Sequence, residues 1–262
     1  MKQLLFIFAF LTMAVFLYAE DSIFIDSDSL QTVFQSDIEQ KSTIFKAPTG
    51  VKFIISAVFI SYGALAQGWE PLRRLDENID REVSRHFTHR RRFDDYLEIV
   101  SVFAPYGPDI AGVKSKHNFR DKTFVVIASN LIMGGTVFTL KQTVNVERPD
   151  GWDHYSFPSG HTATAFVAAH ILFKEYKDVT PWIGITGYAV ATTMGTMRIL
   201  NRKHWLSDVV VGAGIGILSV EIGYMLLPVF HNIIGVEQNK STLSIAPTIG
   251  NNQYGLGIVY VF

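Results

Sequence analysis

The stretch Pro158-Ser159-Gly160-His161, followed by an uncharged apolar run over residues 162–173, decides how this chain folds. Pro-Ser-Gly before an apolar run is a helix start signal, with Ser159 in the capping position. The N-terminus of a helix also attracts anions, because its unpaired N–H groups and its dipole point at the ligand. We therefore predict a helix that begins here, an anion site at the Ser159 and Gly160 amides, and His161 beside that anion.

Further apolar runs on both sides of this helix predict a mainly α-helical protein. Helices are expected over residues 53–69, 96–106, 123–140, 162–173, 181–197 and 209–229. Residues 73–92 hold seven Arg against four acids in amphipathic spacing, which indicates a solvent-facing helix, with contact to anionic lipid as the alternative. The predicted fold class is a helical bundle of about six core helices, over residues 49–232, with a C-terminal β-hairpin.

The N-terminus is typical of an export signal. Lys2 precedes an apolar run over residues 4–17, and Ala19 is followed by acidic and polar residues. We predict a signal peptide over residues 1–19 and a polar N-terminal extension over residues 20–48, with an uncleaved anchor as the alternative. The protein is therefore expected to be exported to a bacterial cell envelope, periplasmic or membrane-associated.

The C-terminus changes pattern from helix to strand. Residues 254–262 alternate between large apolar and smaller side chains, with a turn signal at Gly250-Asn251-Asn252. The aromatic end, Phe262, is similar to the last strand of an outer-membrane barrel, but one hairpin cannot close a barrel. A β-hairpin extension over residues 233–262 is the preferred interpretation.

Composition excludes several classes of protein. The chain has 262 residues, a net charge of −1 and no cysteine. Without cysteine there is no disulfide framework, thiolate zinc site or cysteine nucleophile. A net charge near zero leaves no electrostatic footprint for nucleic acid, so no nucleic-acid partner is expected. The hydrophobic fraction of 48% is high for a soluble protein, yet lower than for a bundle made only of membrane helices. Membrane contact is expected.

Three blocks of polar residues stand at the ends of the predicted helices. The blocks are Lys141 to Arg148-Pro149, Pro158 to His161, and the series Arg198, His204, Asp208. Helices that pack in one bundle can bring their ends to one face, which would gather three cations, two imidazoles and a carboxylate. Taken alone, Lys141 or Arg148 is more typical of a structural surface charge.

Together, the three blocks suit phosphoryl transfer. His204 and Asp208 are four apart and would share a helix face, so Asp208 can take the Nδ1 proton and leave Nε2 of His204 to attack phosphorus. His161 would protonate the leaving oxygen and then deprotonate water. The charge on the phosphate oxygens calls for cations, a role for Lys141, Arg148 and Arg198 with the amides of Ser159 and Gly160. This chemistry needs no metal and no cofactor.

In this order the blocks resemble the signature of the type 2 phosphatidic acid phosphatase superfamily, which includes bacterial acid phosphatases and vanadium haloperoxidases. The resemblance covers about residues 50–230. It implies an α-helical bundle, the roles given above and vanadate as a phosphate mimic that inhibits. Met197 departs from the family, which usually has a small residue there. The matching residues are Lys141, Arg148, Pro149, Pro158, Ser159, Gly160, His161, Arg198, His204 and Asp208.

Several alternatives remain at this level. A zinc hydrolase would use His161, His204 and Asp208 as ligands, although three cations disfavour a metal. A haloperoxidase would need a longer stretch between the first two blocks, and an envelope structural protein leaves the matched residues unexplained. We expect a phosphorylated lipid as substrate (phosphatidic acid, polyprenyl diphosphate or lipid A type), with a soluble periplasmic acid phosphatase acting on small esters as the alternative.

The residues between the first two blocks and the topology complete the predictions. Four residues there are expected to serve as turn and capping residues, with lining of the substrate entrance as the alternative: Asp150, Trp152, Asp153 and His154. Crossings over residues 53–69, 96–113 and 123–140 would place the site inside the cell. The stop at residues 105–108 makes the middle crossing the weakest, and we expect an outward-facing site.

Overall fold

The computed structural model describes the backbone of residues 51–87, 93–234, 242–250 and 253–261, and the side chains of residues 53–87 and 98–234. Helices dominate this part, so the prediction of a mainly α-helical protein is confirmed. The predicted signal peptide and N-terminal extension lie outside the described residues. The helices are α1 (Val51–Gly68), α2 (Glu70–His86), α3 (Phe93–Phe103), α4 (Gly107–Ile110), α5 (Phe119–Val144), α6 (Gly160–Tyr176), α7 (Pro181–Leu200) and α8 (Leu206–Ile233).

The chain divides into two compact units, Met1–Gly223 and Tyr224–Phe262. In the second unit, β1 (Thr242–Gly250) pairs antiparallel with β2 (Gln253–Val261), with Ile245 opposite Ile258. The tip of the turn and the side chains of both strands lie outside the described residues. The β-hairpin as a C-terminal extension therefore stays a prediction.

Helix α6 lies at the centre of the first unit and packs against α3, α5 and α7. Of its 17 residues, 14 are buried, which explains why the run lacks a polar face. Glycines bring the neighbouring helices close to it. A Cβ on Gly184 of α7 would lie 2.6 Å from Cα of Phe173, and one on Gly216 of α8 would lie 2.6 Å from the carbonyl oxygen of Ala163.

Helix α2 is amphipathic with a solvent-facing charged side, as predicted, and its other side is buried. Asp76, Ile79 and Val83 share one face and are buried. Ile79 and Val83 belong to the main apolar core. The opposite face carries exposed ion pairs such as Arg74 with Glu70. Burial of the apolar stripe fixes α2 against the rest of the unit.

Two described helices, α5 and α8, are long and apolar enough to cross a membrane, by length and composition. Residues 96–113 do not form a third, because α3 ends at Phe103 and is followed by a 3-10 turn, Ala104–Tyr106, and the short α4. Pro105 and Pro108 stand at this break, as expected from the sequence. Phe53–Gly68 is a shorter apolar helix, so of the three crossings considered from the sequence only residues 123–140 lie in a helix that meets this measure.

A buried polar cluster joins the start of α5 to the end of α6. The ammonium group of Lys122, which is fully buried, pairs with Asp109. The hydroxyl of Tyr176 donates to Oδ1 of Asp109 at 2.7 Å. A buried Lys needs such a partner, because an unpaired buried charge is strongly unfavourable. The cluster fixes the ends of α5 and α6 that lie away from the three blocks.

Candidate active site

The three blocks lie at the ends of helices, as predicted. Lys141 lies in the last turn of α5. Gly160 and His161 begin α6, and Arg198 lies in the last turn of α7. Asp208 lies in the first turn of α8. Between these helices run the two loops that hold the remaining residues of the blocks.

Hydrogen bonds join the two loops, residues 145–159 and 201–205. The indole N–H of Trp205 donates to the carbonyl oxygen of Glu147 at 2.8 Å. Arg202 donates to the carbonyl oxygen of Pro149 at 2.8 Å and pairs with Asp80 of α2. These bonds hold the first block against the third, although more than fifty residues separate them in the sequence.

The N-termini of α6 and α8 meet at Ser159. The Ser159 N–H donates to the carbonyl oxygen of Asp208 at 3.0 Å, and a Cβ on Gly212 would lie 2.5 Å from the Ser159 carbonyl oxygen. Ser159 occupies the N-cap position of α6, as predicted. Its hydroxyl makes no capping bond to an amide and instead lies 2.9 Å from Oγ1 of Thr162. The sequence predicted the position but neither contact. The prediction that the Ser159 amide binds the anion was wrong, because this N–H already donates to Asp208.

His204 is buried and has a fixed orientation. Its side chain is 2% exposed, and its Nδ1 lies 2.7 Å from the carbonyl oxygen of Ser156. Because a carbonyl oxygen only accepts hydrogen bonds, Nδ1 must carry the proton. In the neutral ring the lone pair is then on Nε2, which is the tautomer that a nucleophilic histidine needs.

Asp208 binds His204 less directly than the sequence predicted. His204 lies before α8 rather than on it, so the two residues do not share a helix face. The nearest oxygen of Asp208, Oδ2, is 3.5 Å from Nδ1 of His204. That oxygen accepts instead from the Ser156 hydroxyl at 2.5 Å and from the Trp205 N–H at 2.9 Å. Ser156 therefore links the carboxylate to the imidazole.

Three cations act on His204. Burial, followed by the charges of Arg198, Lys141 and Arg148, lowers the pKa of His204 well below its ordinary value. The hydrogen bond to Ser156 opposes this effect without cancelling it. Arg198 itself is only 6% exposed. The imidazole is therefore neutral near pH 7, beside positive charges that suit a bound anion.

Arg148 and Lys141 have partners in the loop after the first block. Nε of Arg148 donates to Oδ1 of Asp153 at 2.7 Å, and Nζ of Lys141 lies 2.5 Å from the carbonyl oxygen of Tyr155. Partial desolvation acts to raise the pKa of Asp153, but the bonds from Arg148 and the Tyr155 N–H outweigh it and lower that pKa. Asp153 thus both positions Arg148 and caps a turn.

The turn-forming role predicted for the acids of this loop is confirmed. Oδ1 of Asp150 accepts from the Trp152 N–H at 3.2 Å, and Oδ1 of Asp153 accepts from the Tyr155 N–H at 2.8 Å. Asp150 also pairs with Lys203 of the second loop at 2.9 Å. No group of three or more His, Asp or Glu side chains placed to hold a metal occurs among the described residues.

Two residues of the site were missed by the sequence analysis. Ser156 contacts both His204 and Asp208, and Glu98 of α3 lies 2.9 Å from Nε2 of His161. Ser156 stands three residues before Ser159, so its closeness to the second block was the available signal. Glu98 lies in a different helix, and no spacing in the sequence indicates its contact.

Residues 122–230 match the PAP2 superfamily, the type 2 phosphatidic acid phosphatases. This range contains all three blocks, so the resemblance to this superfamily stated from the sequence is confirmed.

Among individual relatives, the lipid A 1-phosphatase of Porphyromonas gingivalis is 39% identical over 157 residues, which cover 58% of this chain. The match covers 35% of that protein, so the chain spans about a third of its relative.

Two solved structures are also similar. Aquifex aeolicus LpxE is 24% identical, with a TM-score of 0.43 over 58% of this chain and 95% of that one. A PAP2 type phosphatidylglycerolphosphate phosphatase from Bacillus subtilis is 17% identical, with a TM-score of 0.41 over 72% of this chain and 98% of that one. Both TM-scores are below 0.5, and no inference about this chain is drawn from these two structures.

Proposed function

We propose that this chain is a phosphatase that hydrolyses the phosphate ester of a lipid through a phosphohistidine intermediate. His204 is the nucleophile, His161 the general acid and base, and Asp208 the carboxylate that supports His204. The phosphate is bound by Lys141, Arg148, Arg198 and the amide of Gly160, with Ser159 in the N-cap position of the same helix. The reaction needs no metal and no cofactor.

The observation that carries this proposal is the state of His204. Its Nδ1 donates to the Ser156 carbonyl oxygen, and burial together with three nearby cations lowers the pKa of the ring so that it stays neutral. A buried neutral imidazole surrounded by cations is unfavourable for binding a cation but favourable for attack on a phosphate dianion. The same cations offset the negative charge on the three equatorial oxygens of the transferring group.

A lipid substrate is supported by the surface of α5. Three apolar side chains on this helix are each more than half exposed: Ile127, Leu131 and Phe138. Exposure of such a surface to water is unfavourable, which favours contact with lipid. The Porphyromonas gingivalis relative is named a lipid A 1-phosphatase. We propose a membrane-embedded enzyme of the cell envelope, acting on a phosphorylated lipid such as lipid A at an outward-facing site.

The termini belong to the same proposal. Residues 1–19 serve as an export signal, residues 20–48 as an N-terminal extension and residues 233–262 as an appended β-hairpin.

Two reporter fusions test the topology of α6. A reporter after Pro149 shows the side of the membrane on which α6 begins, and one after Phe173 shows the side on which it ends. Opposite reporter signals at these two places would contradict a helix that stays on one side.

The experiment that tests the function is phosphate release by the purified full chain from lipid A, phosphatidic acid and p-nitrophenyl phosphate. The wild type should resist EDTA and be inhibited by vanadate, which mimics the pentacoordinate phosphate. His204→Ala should lower kcat by about a thousandfold or more, because it removes the nucleophile. The ratio between lipid and aryl substrates separates a lipid enzyme from a soluble acid phosphatase.

Thr196→Ala is the matched control, because the Thr196 hydroxyl bonds only within α7 to the carbonyl oxygen of Thr192. This control should keep wild-type activity. Loss of activity with EDTA, or full activity in His204→Ala, would overturn the phosphohistidine mechanism. The first result would favour the zinc alternative, with His161, His204 and Asp208 as ligands.

A further inference from the structure

An ion pair outside the three blocks holds His161. Its Nε2 lies 2.9 Å from Oε2 of Glu98, with the His161 and Glu98 side chains 23% and 35% exposed. Glu98 lies on α3, which packs against α6, and His161 is in the first turn of α6. Helix packing therefore brings a carboxylate to the ring that the proposed mechanism uses for proton transfer.

The proposed role of His161 explains what this carboxylate does. A general acid must present its proton to the leaving oxygen in a fixed direction. A carboxylate that accepts a hydrogen bond from the other ring nitrogen fixes the orientation of the ring, as the acid does in a catalytic triad. As a mere surface ion pair, a contact this exposed would contribute little to stability.

We propose that Glu98 is a positioning residue for proton transfer, which holds Nε2–H of His161 so that the protonated ring delivers its Nδ1 proton to the leaving oxygen. This inference rests on the proposed function. His204 Nε2 forms a bond to phosphorus while the ester P–O bond breaks, and the leaving oxygen takes the proton to give a neutral alcohol. Glu98 accepts from Nε2–H throughout and stays ionised.

The second half-reaction restores both histidines. Neutral His161 takes a proton from water through Nδ1 while the water oxygen bonds to phosphorus. The P–N bond to His204 breaks, and inorganic phosphate leaves. No oxidant, metal or further reactant enters either step.

Leaving-group dependence separates positioning from a structural role. A lipid alcohol is a poor leaving group and needs a proton, whereas p-nitrophenolate leaves without one. The value of kcat/KM reports steps up to the loss of the leaving group, so the second half-reaction does not contribute. Glu98→Gln should lower kcat/KM for phosphatidic acid by about a hundredfold and that for p-nitrophenyl phosphate by less than about threefold.

A double-mutant cycle gives the second readout. In a His161→Asn background, Glu98→Gln should cost nothing further for phosphatidic acid, because the proton donor is already absent. Glu98→Asp should restore part of the lost kcat/KM, since a carboxylate is kept. Glu70→Gln is the matched control: it removes an exposed ion pair with Arg74 on α2 and should leave both substrates unchanged.

Equal losses for the two substrates, or an additive loss in the His161→Asn background, would overturn the role of Glu98. Should Glu98→Gln fail to fold, as judged by its melting temperature, the Glu98→Asp variant and its cycle with His161→Asn decide in the same way. These outcomes differ from failure of the proposed function, which would appear as full activity in His204→Ala.

Discussion

The backbone carbonyl oxygen of Ser156 lies 2.7 Å from Nδ1 of His204, whereas the nearest oxygen of Asp208 lies 3.5 Å away. The main chain, rather than the carboxylate, therefore selects the tautomer with the lone pair on Nε2. In a triad whose carboxylate sets the tautomer, replacing that acid by its amide lowers kcat by about 10⁴. Here the Ser156 carbonyl oxygen performs that task, and Asp208 contacts the Ser156 hydroxyl instead.

Asp208→Asn should consequently lower kcat only about tenfold to a hundredfold, because the Ser156 carbonyl still holds Nδ1–H. The measurement is kcat for phosphate release by Asp208→Asn beside His204→Ala. A loss as large as that of His204→Ala would show that the carboxylate itself sets the tautomer.

Ser156→Ala removes the 2.5 Å bond from the hydroxyl to Asp208 and keeps the carbonyl contact to His204. It leaves a buried carboxylate oxygen with fewer partners, which costs about 1–3 kcal/mol of stability. We expect a lower melting temperature and a kcat reduced about tenfold. Ser84→Ala, which removes an exposed hydroxyl on α2, is the control and should change neither quantity.

Asp153→Asn should weaken anion binding more than it slows the chemical step. The change removes the charge that orients Arg148 through a 2.7 Å ion pair, while an amide oxygen can still cap the turn at Tyr155. We expect the inhibition constant for vanadate to rise about tenfold, the equivalent of about 1.4 kcal/mol. An unchanged inhibition constant would mean that Arg148 keeps its position without Asp153.

Asp76 should make stability depend on pH. It is buried on α2, and its carboxylate accepts from the N–H and the hydroxyl of Ser207. Burial raises its pKa from 3.8 to about 7, against the effect of the Ser207 bonds. Between about pH 4 and pH 7 the folded protein thus holds a proton that the unfolded chain has lost, so this contribution to stability falls as pH rises.

Asp76→Asn should therefore flatten the dependence of the melting temperature on pH across this window. The contribution of Asp76 to the free energy of unfolding should change by at most about 4 kcal/mol between about pH 4 and pH 7, and the variant lacks this change. Melting curves of both proteins at pH 4.5, 6 and 7.5 measure it. Parallel curves for the wild type and the variant would show that Asp76 does not titrate there.

Gly212→Ala should disturb the site through packing alone. Its Cβ would lie 2.5 Å from the Ser159 carbonyl oxygen, which forces α8 away from the N-terminus of α6. We expect a loss of stability of about 1–3 kcal/mol and reduced kcat. Gly134→Ala is the matched control, because an added Cβ meets nothing within 4 Å. It should be neutral or stabilising by up to about 1 kcal/mol, since alanine favours the helix.

The helices and the grouping of the three blocks were predictable because both depend on local signals. Apolar runs end where polar residues begin, and Lys141, His161 and Arg198 each stand at such an end. The helix boundaries in the structure differ by a few residues from the predicted ones. Helix α5, for example, continues past residue 140 to Val144 and ends where Asn145 adopts a left-handed conformation. A left-handed cap depends on one residue rather than on periodicity.

The contacts within the site were not predictable, because they join residues that are distant in the sequence. Glu98 reaches His161 through the packing of two helices, and Asp76 reaches Ser207 in the same way. Ser156 acts on His204 through its carbonyl oxygen, which every residue type possesses. A side-chain pattern cannot reveal a role that belongs to the main chain.

The three cations around the neutral imidazole also affect the stability of the folded protein: Lys141, Arg148 and Arg198. Without an anion these like charges repel one another, so the ligand-free protein carries an unfavourable term that any phosphate relieves. An anion present at a hundred times its dissociation constant would add about 2.7 kcal/mol to the free energy of unfolding. Inorganic phosphate, the product of the proposed reaction, is thus expected to protect the protein in storage and to occupy the site during assays.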